Sequence, residues 1–125
     1  MSVNVYMNAD QRGEVFFRWS HGDGKPIAVI GLPPENLPYG KPLAFHPGWD
    51  NLDHFVFAVL QLDERTSVVL LRYANDSDPG TTIYADTTAD AHEITRRVLE
   101  WLGFDNAILT WVADAESVAV ANTGG

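Results

Sequence analysis

His46, Asp50 and His54 fall four residues apart in FHPGWDNLDH, residues 45–54. On a continuous helix that spacing sets all three on one face, the donor set of a two-histidine, one-carboxylate metal centre or of acid–base chemistry. Pro47 works against such a helix. It disfavours α conformation at His46, and Gly48 weakens the next turn, so only Asp50 and His54 keep a common helical face. Asp50 and Asp53 also fit a plainer role, capping a turn or a helix start. The stretch therefore reads first as the end of a loop entering a buried strand. A His46/Asp50/His54 pocket is the alternative, and it would make the protein a small-molecule binder or an enzyme.

The other reactive patterns are incomplete. SHGDGK, with His21 and Lys25, has glycines but not the spacing of a phosphate loop, and strand-like residues follow it, so it reads as a hairpin turn. Asp76 and Asp78 copy the first two ligands of a calcium loop, but Pro79 and Gly80 break the pattern and no glutamate closes it. No serine sits in a G-x-S-x-G elbow and no glycine fingerprint for dinucleotides follows a strand. With no cysteine in the chain, disulfides, thiolate nucleophiles and thiolate metal sites are excluded outright. No cofactor is expected.

These residues must be positioned by elements of two periods. EVFFRWS (14–20) alternates, with Val15, Phe17 and Trp19 on one face, and reads as a half-buried strand. Residues 26–32 return as an apolar strand, so the two form a hairpin, with SVNVYM upstream as an added edge strand. From Gly31 to Trp49 five prolines and three glycines forbid regular helix and remove ladder donors, which predicts a long loop over 33–49. Loops of that length are often functional. HFVFAVLQL (54–62) and SVVLLRY (67–73) form a hairpin of central strands covered on both faces, a helix over 51–62 being the competing reading. NDSDPG (75–80) is a turn and 81–86 a short strand.

One helix is expected over about 89–102. Asp90 and Glu93 open it in the manner of a capping box, with Thr88 a rival cap; Ala91, Ile94, Val98, Trp101 and Leu102 form its apolar stripe, and Gly103 ends it with Phe104 available for the closing contact. His92, in its first turn, reads as a surface residue. AILTWVA (107–113) is the last strand within the sheet, 117–121 a short edge strand, and 122–125 a flexible tail. The expected fold is α+β: an antiparallel sheet of about five to seven strands built from hairpins, with one amphipathic helix on one face, forming a single globular domain over 1–121. At 125 residues such a domain buries roughly two-thirds of its unfolded surface.

Seventeen acidic against eight basic side chains give a net charge of −9. That field repels nucleic-acid phosphates and anionic lipid and attracts a basic surface. The first residues lack a secretory signal and no apolar run approaches the roughly 20 residues of a membrane helix, so a soluble, cytoplasmic protein is expected. The long loop adds Tyr39, Phe45 and Trp49, the residue types of binding hot spots, with Glu35, Asp50 and Asp53 as an acidic rim. In size, charge and build, though in no motif, the chain resembles the immunity proteins and inhibitors that neutralise bacterial toxins with basic clefts. The leading expectation is thus a non-enzymatic module that binds a basic protein partner through Glu35, Tyr39, Phe45, Trp49, Asp50 and Asp53. A subunit that pairs with copies of itself through strand edges is the remaining alternative.

Overall fold

The computed structural model describes residues 5–9, 11, 15–19, 24–37, 43–49, 53–77 and 80–113. Eight strands and one helix follow in chain order: β1 (Val5–Ala9), β2 (Val15–Trp19), β3 (Gly24–Ile30), β4 (His46–Trp49), β5 (His54–Asp63), β6 (Thr66–Tyr73), β7 (Thr81–Asp86), α1 (Ala91–Leu102) and β8 (Leu109–Val112). Six of the strands form one antiparallel sheet in the order β4-β5-β6-β7-β3-β8, and β1 and β2 form a separate two-stranded ribbon. This is the α+β arrangement of one helix against an antiparallel sheet. None of the described helices is long and apolar enough to cross a membrane.

The sheet is covered on both sides by different partners. On one face Ile27, Ile30, Leu60, Val68, Leu70 and Ile83 pack against Ile94, Val98, Leu99 and Leu102 of α1. On the other, Phe55, Phe57, Val69 and Leu71 pack against Val5, Val15, Phe17 and Trp19 of the ribbon. The alternation of β2 is used as its sequence implies, with Val15, Phe17 and Trp19 turned to the sheet. Phe17 lies 5.3 Å from Phe57 and 6.0 Å from Phe55 between ring centroids, in tilted and edge-on geometry.

The hairpin expected between β2 and β3 does not form. β2 pairs with β1, while β3 lies between β7 and β8. Residues 26–32 are nearly all apolar, which suits an interior strand with two ladders better than the edge of a hairpin. Two glycines show where the ribbon crosses. A Cβ on Gly48 of β4 would meet the Val15 carbonyl oxygen at 2.6 Å, and one on Gly24 of β3 would overlap the Trp19 indole. β4 and β3 are four strand spacings apart, about 19 Å, whereas five residues of β2 span only about 13 Å before the indole extends it. The ribbon therefore runs across the strands of the sheet, not along them.

The long loop is shorter than its prolines imply. Pro34–Asn36 make a 3-10 turn that buries Pro34, and His46–Trp49 form β4, with Pro47 opposite Val56. Among the described residues β4 is an edge strand, where a missing N–H costs the ladder nothing. The β5–β6 hairpin forms as expected, turning at Glu64 and Arg65, and the helical alternative over 51–62 is overturned. β7 also forms as expected. β8 is shorter than expected because Asn106–Ile108 wind into a 3-10 turn, and among the described residues it lies at the sheet's edge, not within it. Its register shifts between Val29 and Ile30, so Leu109 and Val112 both pack toward the helix side. The expected strand at 117–121 and the tail lie outside the described residues.

α1 opens and closes by local chemistry. Asp90 accepts the Glu93 N–H at 3.1 Å, and Gly103, at φ 86°, lets its own N–H and that of Phe104 reach back to the carbonyls of Glu100 and Leu99. The buried stripe is rotated from the expected one: Thr95 and Leu99 are buried, while Trp101 is half-buried. The helix is tied to the β5–β6 turn by Arg97, whose guanidinium lies 2.7 Å from Asp63. The Arg65 backbone N–H, and then Arg97, hold the Asp63 carboxyl down at about 2. A lowered carboxyl contributes stability that is present above its ordinary value near 3.8 and is lost as pH falls through about 2. In Arg97→Ala the Asp63 value is expected to rise only part of the way, because the Arg65 N–H remains. An NMR titration of the Asp63 carboxyl checks this, and a full return to 3.8 would mean that Arg97, not the Arg65 N–H, holds the carboxyl down.

Candidate functional site

β4 and β5 decide the fate of the histidine set. His46 stands opposite Phe57 and Trp49 opposite His54, and directly opposed residues share a face while neighbours alternate. His46 therefore lies on the ribbon face, its ring 6.0 Å from Phe57, and His54 on the helix face, exposed. Two imidazoles on opposite faces of one sheet cannot hold a common metal or act on a common substrate. Asp50 lies outside the described residues, and no cluster of three metal-ligating side chains occurs among the described ones.

The expected partner-binding set is also divided. Phe45 is half-buried against the helix-side core, and Trp49 is half-buried opposite His54 on β5. Tyr39 lies outside the described residues. Asp53 accepts the Asn75 N–H at 3.0 Å, a turn-fixing role as expected, but in a turn 22 residues away. Glu35 is exposed and helps line a shallow groove of about 340 Å³ with Pro34, Pro47, His54, Val56 and Arg72. Arg72 turns one nitrogen to the Asp76 carbonyl at 3.3 Å. The groove joins the 3-10 turn to the β4 edge, and its mixed charge gives it no single sign.

A larger groove, about 770 Å³, lies at the opposite end of the sheet, and sequence reasoning missed it. Asp90, Glu93, Thr95 and Arg96 of the helix form one wall; Leu109 to Val112 form the other. His92 also lines it and is exposed, as the sequence implies. Trp111 stands at the β8 edge with 46% of its surface exposed. A tryptophan in an apolar strand reads as core from the sequence, and only the edge position of β8 exposes it. Residues 20–23 of SHGDGK lie outside the described residues, while Gly24 and Lys25 open β3 and Lys25 donates to the Ala89 carbonyl at 2.7 Å, away from any phosphate-loop geometry.

Thr95 lines this groove but its hydroxyl is buried and has no hydrogen-bond partner among the described residues. An unpaired buried hydroxyl costs about 1–3 kcal/mol. Thr95→Val, of nearly the same shape, is expected to raise stability by about 1 kcal/mol. Urea unfolding measures it, and a loss of stability would mean that the hydroxyl is satisfied. Comparison with protein-family models, with curated proteins and with solved structures finds no match to this chain.

Proposed function

We propose that this is a non-enzymatic acidic binding protein that meets a basic protein partner, its finer form being an inhibitor that covers the partner's basic cleft as an immunity protein does. The observation that carries the reading is how the few cations are placed. Arg96 is held between Glu93 and Glu100 at 2.8 and 3.1 Å, Arg97 lies against Asp63 at 2.7 Å, and Lys25 is turned onto the Ala89 carbonyl. With 17 carboxylates against eight cations, and three of those cations so engaged, the field outside the molecule is negative. Such a field speeds encounter with cationic surfaces and opposes nucleic acid and anionic lipid. The opposite faces taken by His46 and His54 argue against the enzyme reading.

The test is a calorimetric titration with a small basic protein and with an acidic one of similar size, at low and at high salt. One-to-one binding to the basic protein, weakened on the order of tenfold by salt, is expected, with no heat from the acidic one. Failure to bind the basic protein at low salt, or equal binding of both, removes the reading.

A further inference from the structure

Leu109, Thr110, Trp111 and Val112 all line the larger groove, although alternate residues of a strand point to opposite sides of a sheet. A lining of that kind means that the groove follows the outer edge of β8. On the inner edge the Ala113 N–H donates to the Ile27 carbonyl at 2.7 Å. Alternation of the ladder therefore turns the N–H and C=O of Val112 outward. Sheet edges are ordinarily guarded by charge or proline. The β4 edge carries Pro47, whereas Leu109–Val112, LTWV, carries neither.

Charge decides what fits this edge. Asp86, Asp90, Glu93, Glu100 and Asp105 belong to α1 and the turns beside it, against Arg96, Arg97, which is turned to Asp63, and the inward-turned Lys25. Glu93 and Glu100 share Arg96. Asp86, Asp90 and Asp105 accept only N–H or hydroxyl donors of their own turns and make no ion pair among the described residues. A second copy would bring the same carboxylates against them.

We infer that the outer edge of β8 is a strand-addition site for an extended, cationic segment of another protein. The inference rests on the acidic-module reading and gives it a place and a geometry. The incoming backbone pairs with Val112, lysine or arginine side chains on the helix side meet Asp90 and Glu93, and Trp111 offers its indole to the residues between them.

The experiment is an NMR titration of the labelled full chain with a peptide alternating lysine with valine and threonine, and with its glutamate-for-lysine counterpart. Shifts centred on Leu109–Val112 and the first two turns of α1 are expected for the lysine peptide alone. Val112→Pro removes an outward N–H and leaves the Ala113 bond in place, so binding should weaken on the order of tenfold or more. Asp90→Asn with Glu93→Gln keeps the helix cap while removing two charges, and should weaken binding about fivefold at an unchanged melting temperature. If the proline variant fails to fold, the charge variant and the shift map decide. Lysine-peptide shifts confined to His54, Val56 and Arg72 overturn this site but leave the acidic module standing. Binding of neither the peptide nor a basic protein overturns both. A concentration-dependent dimer whose β8 amides broaden without peptide shows that a second copy holds the edge, and also overturns the inference.

Discussion

Phe57→Ala is expected to lower stability by about 3–5 kcal/mol, a large share of the about 5–15 kcal/mol available to a domain of this kind. Phe57 has no exposed surface and stands where three parts of the fold meet. Its ring lies 5.3 Å from Phe17 of the ribbon, 5.7 Å from Phe55 on its own strand and 6.0 Å from His46 on the edge strand. Truncation removes the transfer energy of the ring and leaves a cavity that a rigid sheet beneath and a crossing ribbon above cannot close. Urea unfolding followed by circular dichroism measures the loss. Tyr6→Ala, on the exposed strand of the ribbon, should by contrast change stability by less than about 1 kcal/mol. Similar losses for both would mean that the ribbon does not pack as described.

Gly48→Ala should cost about 2–3 kcal/mol through a different mechanism, overpacking. The added methyl would stand 2.6 Å from the Val15 carbonyl oxygen and 2.6 Å from the Phe55 ring. A ring can turn, but a backbone carbonyl of β2 cannot move without its strand. The ribbon must lift. The same substitution at Gly24 meets first the Trp19 indole, a side chain that turns about its own torsions where a strand carbonyl does not, so its cost should be smaller. Hydrogen exchange separates the two effects. In Gly48→Ala the amides of β1 and β2 should lose protection while those of β6 and β7 keep it. Uniform loss across all strands would show that ribbon and sheet unfold as one unit.

The candidate sites were less legible than the core, and the residues show why. Asp53 signals a turn in any sequence, but that it would fix the turn at Asn75 depends on β5 and β6 being neighbours. The eight-residue spacing of His46 and His54, two four-residue steps through Asp50, looks like a shared face only if the chain is helical. In the actual hairpin the same spacing places them on opposite sides. Trp111 carries no mark that separates it from the buried aromatics; its exposure follows from β8 being last in the strand order.

Composition and local pattern determined the class of the molecule. Alternating and continuous apolar runs specify strands, and Asp90 and Gly103 bound the helix, because these signals act between residues a few positions apart. The net charge likewise needs no structure. Which strands pair, where the ribbon crosses, and which of the described strands ends the sheet were decided by tertiary packing. Those outcomes depend on contacts between residues tens of positions apart, such as Gly48 with Val15 or Ile27 with Ala113, whose energies no local pattern encodes.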